Sequence, residues 1–131
     1  MIGVSDIGNI LYKDCKEAFG LKVYQKGNIP SGAIKTDRVI IYPKVQQDVT
    51  YWKESFVEVN LCVPDIASNT ANLVRLNELE REARAKLKRS TGEYDGSRYR
   101  YKIDTIGIEQ DSEMQCHYVN VSILFEVLNV N

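Results

Sequence analysis

Residues 118–127 constrain the fold of this chain more than any other stretch. Val119, Val121, Ile123, Phe125 and Val127 alternate there with mostly polar neighbours, which is the period of a strand with one face buried. The reading extends to one long strand over residues 113–129. Fully extended, it would span about 55 Å at roughly 3.3 Å per residue. A compact domain of this size has a radius of gyration of about 14 Å. The strand must therefore bend, carry a bulge or reach beyond its own domain. Continuous core register is confined to residues 119–127, so the start of the strand, residues 115–117, is expected to project toward a neighbour.

The rest of the chain supplies partners for that strand. Ser5 and Asp6 are good N-caps, and Ile7, Ile10, Leu11, Cys15, Ala18 and Phe19 follow at helical spacing, predicting a helix over 5–19. Gly20 stands where a C′ glycine is expected. A short strand over 21–25 leads into a loop of turn formers, residues 27–32. The β-branched run 38–42, ended by Pro43, reads as a strand, and residues 44–50 as a polar linker. Strong alternation resumes over 51–63. Val57, Val59, Leu61 and Val63 face the core, and Lys53 and Ser55 continue that register as if the strand leaves the core there. Glu54, Phe56, Glu58, Asn60 and Cys62 face the other way.

Ser68, Asn69 or Thr70 is expected to cap a second helix that runs to about residue 88 or 89. Its stripe is Leu73, Leu76, Ala83 and Leu87, widened by Val74 and Leu79, with Glu80–Arg84 and Glu82–Lys86 as i,i+4 pairs. Thr91-Gly92-Glu93 ends it. A strand from 99 toward 108 and a turn at 109–112 complete a closing hairpin. The order is α-β-β-β-α-β-β. It predicts a single α+β domain over 1–131, with two layers: two helices on a largely antiparallel sheet of about four to five strands.

The chemistry is sparse. The formal net charge is −1, from 17 basic and 18 acidic residues. That balance removes the counterion-release drive for wrapping duplex nucleic acid, so no sequence-specific nucleic-acid binding is expected. The basic run Arg81, Arg84, Lys86, Lys88 and Arg89 reads as a solvated helix end. No stretch approaches the roughly 20 apolar residues of a membrane span, and no signal peptide is expected at the start. Cys15, Cys62 and Cys116 are an odd count without Cys-x-x-Cys spacing, read as reduced thiols of a cytosolic protein. His117 is the one histidine, which excludes sites that need two. Phosphate-cradling and nucleophile-elbow glycine motifs are missing. No catalytic, cofactor or metal site is expected, and the chain is read as a non-enzyme.

What remains is aromatic. Tyr42, Tyr51, Trp52, Phe56, Tyr99, Tyr101 and Tyr118 fall in strands. Of these, Tyr51, Trp52, Phe56, Tyr99, Tyr101 and Tyr118, with His117, are candidate contacts to subunits or partners, because tyrosine and tryptophan are enriched at interfaces. Cross-strand packing within one sheet is an equal alternative.

Taken together, the layout resembles the tail-terminator and head–tail joining (minor tail) proteins of long-tailed bacteriophages. An N-terminal helix leads to Val23-Tyr24 and a loop with Ile29-Pro30. A strand follows over 39–43, then the strand over 52–64 with Phe56-Val57-Glu58-Val59-Asn60-Leu61. A long helix comes next, then a hairpin through His117 and a close on Phe125-Glu126-Val127-Leu128-Asn129-Val130. The resemblance implies a non-enzymatic virion protein. It would form a ring, with a hexamer as the expected size, that caps the tail tube and joins it to the head connector, acting in the host cytoplasm during assembly and then in the virion. The expected contact elements are residues 44–50, residues 92–97 and the terminal strand. A small bacterial α+β ligand-binding or regulatory domain is the alternative.

Overall fold

The computed structural model describes residues 2–44, 47, 48 and 52–128. In chain order the elements are helix α1 (Val4–Phe19), β1 (Lys22–Gln25), β2 (Arg38–Pro43), β3 (Gln47–Asp48), β4 (Trp52–Pro64), helix α2 (Leu73–Lys86), β5 (Arg89–Tyr94), β6 (Ser97–Asp111) and β7 (Cys116–Leu128). The fold is α+β, with both helices on one mixed sheet ordered β1-β2-β4-β7-β6-β5, and β3 adding to the β4 edge. All pairings are antiparallel except β1 with β2. The sheet is thus larger than four to five strands, and two strands are additional to the expected order: β3, inside the stretch read as a polar linker, and β5, after the second helix.

β7 lies in the middle. It pairs with β4 from Cys116 to Leu128 on one side and with β6 on the other. The start of the strand therefore does not project. Cys116 and His117 are held between Pro64 and Val63 of β4 and Asp111 and Gln110 of β6. The length problem is met by giving β7 two partners as long as itself. A bulge in β6 between Ile103 and Thr105 bends the trio. It also keeps Tyr99, Tyr101, Ile103, Ile106 and Ile108 on one face, although the apolar spacing slips from two to three at Asp104.

That face carries the main core. Val57, Val59, Leu61 and Val63 of β4 and Val119, Val121, Ile123, Phe125 and Val127 of β7 are buried against Ile7, Ile10, Leu11 and Cys15 of α1 and Leu76, Leu79, Ala83 and Leu87 of the α2 segment. Ser55 does not leave the core. It is 4 % exposed opposite Phe125, and its hydroxyl has no partner among the described residues. α1 starts one residue earlier than expected, with Gly3 as N-cap and the Asp6 carboxylate accepting from the Gly3 amide at 2.9 Å. Gly20 closes it in the left-handed conformation, φ 63°.

α2 differs more. Residues 68–70 form a tight turn around an Ala67–Thr70 bridge, and the cap is Asn72, whose side chain accepts from Arg75 N at 3.2 Å. Starting there, the helix turns Leu73 and Val74 to solvent, 64 % and 74 % exposed. The helix also stops at Lys86, because Arg89 already belongs to β5. β5 returns onto β6 through Asp95-Gly96, both with positive φ (49° and 78°), the conformation a two-residue type I′ hairpin demands. The Tyr99 ring lies over Gly92 across that hairpin, filling the space a side chain would take.

The opposite face of the sheet has its own small cluster. Ile34, Ile40, Cys62, Met114 and Cys116 are buried there. Parallel neighbours need a crossover, and the β1–β2 crossover, residues 26–37, supplies the cover. It is pinned by Lys26 N to Ile41 O (2.9 Å) and Ile34 N to Met114 O (3.0 Å).

Candidate assembly interface

The aromatic candidates separate into three groups. Tyr99, Tyr101 and Phe125 stack on one another, with centroids 5.2 Å apart for Tyr99–Phe125 and 5.8 Å for Tyr101–Phe125. Tyr101 is buried, and its hydroxyl donates to the Asp14 carboxylate at 2.6 Å. Burial, and then Asp14, push its ionisation well above the ordinary tyrosine range. Tyr101 is thus spent inside the fold, as cross-strand packing requires, and offers no face to a neighbour. Tyr99 shares that stack, half-buried.

Tyr118 and His117 form the second group. Tyr118 packs on the smaller cluster. Burial, followed by the charge of Glu109, raises its hydroxyl to about 12. His117 Nδ1 lies 2.7 Å from the Asp65 carboxylate, with both side chains largely covered. That contact ties the segment after β4 to the start of β7.

Phe56 lies on the outer face opposite Leu124 of β7, 44 % exposed. Trp52 is the first residue of β4, opposite Leu128. Tyr51 lies outside the described residues, as do parts of the expected 44–50 contact loop. Residues 92–97 are the β5–β6 hairpin.

The feature that sequence reasoning missed lies on β6. β5 covers the outer edge of β6 only over 97–102. Beyond the Ile103 N to Lys88 O bond of 3.3 Å, no strand among the described residues pairs with the edge over 104–111. An uncapped edge exposes main-chain donors and acceptors that can template another strand. Natural edges are usually blunted, yet Gly107 opens onto free space and Ile108 is 44 % exposed. Asp104, Glu109 and Asp111 are the charges along it. The signal was present in the apolar spacing, whose slip marks the bulge, and in Asp95-Gly96, which sets the register that leaves Arg89, the first residue of β5, opposite Lys102.

Beside this edge is a groove of about 900 Å³ between the end of α2 and β6. Arg84, Lys88, Arg89 and Lys102 line it with Asp104, and Ile103 and Ile106 form its apolar wall. The basic run is therefore divided rather than uniformly solvated. Lys86 turns away to the Ala18 carbonyl at 2.6 Å, and Arg84 pairs with Glu80 at 3.2 Å. Lys88, Arg89 and Lys102 are exposed, with no ion pair among the described residues. Four cations against one lining carboxylate make a concentrated positive site on a chain of near-zero net charge.

The thiols lie inside. Burial, with Asp14 adding to it, pushes Cys15 up to about 12. The Cys62 thiol donates to the Asn60 carbonyl at 3.8 Å; its neighbour Cys116, together with burial, raises Cys62, while Cys62 lowers Cys116. No group of three or more His, Cys, Asp or Glu that could hold a metal occurs among the described residues. No described helix is long and apolar enough to cross a membrane.

No family model matches the chain, and no curated protein matches it. Its fold is similar to that of a solved structure with a TM-score of 0.54 and 10 % identity, covering 95 % of this chain and 96 % of that one. The likeness extends over the whole architecture and concerns the fold alone.

Proposed function

We propose that the chain is a non-enzymatic phage or prophage virion assembly subunit. In this reading it is a ring-forming tail terminator that caps the tail tube and joins it to the head connector. It acts in the host cytoplasm during assembly and ends in the tail or neck of the virion. The observation that carries the reading is the uncapped half of β6, with exposed Ile108 and open space at Gly107. A stretch of sheet edge left without a strand partner favours addition of a further chain. The element order that resembles the tail-terminator family is the second support.

The test is direct. Purified protein should give discrete rings in negative stain and one oligomeric mass, with six subunits as the expected number, in native mass spectrometry. It should also co-sediment with tail tubes. A protein that stays monomeric at every concentration and ignores tail tubes would end this reading.

A second reading has one observation in its favour, the basic groove of about 900 Å³. That volume lies within the range of small-molecule sites, and its cations suit an anionic ligand of a regulatory domain. A thermal-shift screen of anionic metabolites separates the two. A ligand that raises Tm without changing oligomeric state supports the regulatory domain.

A further inference from the structure

We propose that the basic groove beside β6 receives the acidic β6–β7 turn of a second copy of this chain, joining subunits head to tail. The inference rests on the assembly reading above and names its two contact surfaces.

The groove contributes Lys88, Arg89 and Lys102, exposed and without an ion pair among the described residues, and Arg84 already engaged by Glu80. The turn contributes Glu109, Asp111 and Glu113 within five residues. Lys35, adjoining the Ile34 that holds the turn, offsets one of these charges, as Asp104 offsets one in the groove. Each surface keeps a net charge, of opposite sign to the other.

The turn is held rigidly. Met114 N donates to Asp111 Oδ1 at 3.0 Å and the Met114 side chain is buried. Ile34 N donates to Met114 O and Asp65 N to Gln115 O, both at 3.0 Å. A surface ordered before contact loses little conformational freedom on binding, and it presents the exposed Glu113 on fixed backbone.

Geometry makes the contact intermolecular. From Asp104 in the groove to Ser112 in the turn the chain runs along β6, about 26 Å at roughly 3.3 Å per residue. One copy cannot place its turn in its own groove. Two different patches meeting between identical chains form a heterologous contact, which closes into a ring when the rotation allows. The incoming turn would also lie along the uncapped β6 edge, where unpaired main-chain groups await partners.

The test is a charge exchange on the full chain. Variant one carries Lys88→Glu, Arg89→Glu and Lys102→Glu. Variant two carries Glu109→Lys and Glu113→Lys, leaving Asp111 to hold its turn. Circular-dichroism melts check that each folds, and native mass spectrometry reads the oligomer. The wild type should assemble and dissociate at high salt, since the contact is charge-driven. Each variant alone should be monomeric, and an equimolar mixture should regain the oligomer with the two chains in equal number. Folded variants that assemble alone like the wild type would overturn the proposal while leaving the assembly reading intact. So would a mixture that stays monomeric. Loss of assembly in variant one only, with a single-stranded oligonucleotide binding the wild-type groove, would overturn it in favour of a nucleic-acid partner. A wild type that never assembles would overturn both.

Discussion

β7 and the outer half of β6 are neighbours in one sheet, alternate in the same way and have opposite fates. β7 has a strand on both edges along its length, and its five core-facing residues from Val119 to Val127 are almost fully covered. β6 keeps a partner on its outer edge only as far as residue 102, and Ile108 is left 44 % exposed. Alternation alone does not distinguish a central strand from a half-open one. The neighbour decides, and β5 stops covering β6 at residue 102 because its own first residue, Arg89, follows closely on the end of α2 at Lys86.

The largest effect that sharpens this contrast is expected at Phe125. Its ring joins the Tyr99 and Tyr101 stack and is fully buried. Phe125→Ala should cost about 3–5 kcal/mol in urea unfolding. A loss under about 1 kcal/mol would show that β7 is not the strand on which the core is built.

The alkaline limb comes next. Cys15 ionises near 9.0 when unfolded and at about 12 when folded. Its neutral form is thus favoured by folding. The sign follows: its contribution is fully present below pH 9 and is lost as pH rises through about 12. Tyr101, raised for the same reason of burial, adds to the loss from about pH 10 upward. Stability measured from pH 8 to 11 should decline, and Cys15→Ala should flatten the decline. An unchanged slope in that variant would remove Cys15 as the cause.

A smaller effect belongs to the Tyr101–Asp14 bond. Tyr101→Phe keeps the stack and leaves the carboxylate without its donor, so it should cost about 1–2 kcal/mol. Replacement of Asp14 by Asn should then add little on top of it, because the two residues share one interaction.

The smallest change is predicted on the open edge. Ile108→Lys should alter monomer stability by about 0.5 kcal/mol or less, as exposed sites do, yet should weaken assembly measured by sedimentation. Hydrogen exchange offers the complementary measurement. Amides of residues 119–127 should exchange only through global opening. Solvent-facing amides of residues 104–110 should exchange fast in the monomer and slow down in the oligomer. Equal protection of both stretches in the monomer would break the comparison.

Much of this architecture was legible because burial imposes a period on the chain. A strand with one buried face has to alternate, so β2, β4, β6 and β7 could be placed from Val, Ile and Phe spacing. α1 could be placed from Ile7, Leu11 and Cys15, with Gly20 to close it. The cap of α2 was not legible, since Ser68, Asn69, Thr70 and Asn72 are all competent acceptors and tertiary packing selects among them. That choice, spread over residues 68 to 72, turned Leu73 and Val74 from core to surface. β5 was missed because Arg89-Ser90-Thr91-Gly92-Glu93-Tyr94 carries no apolar alternation. It exists through its hairpin and through Tyr99 filling the place beside Gly92.

The candidate site was less legible than the fold. Lys88, Arg89 and Lys102 were visible as charges, but a groove exists only where the end of α2 meets β6. The aromatic residues promised contacts of either kind, and Tyr101 went to the interior because Phe125 and Asp14 meet it there. The sequence by itself determined which residues must be covered, because the cost of wetting an apolar face is local and periodic. Only the tertiary structure decided which edge is left uncovered. Strand neighbours are set by turns and crossovers between residues far apart in the chain, and no periodicity records them.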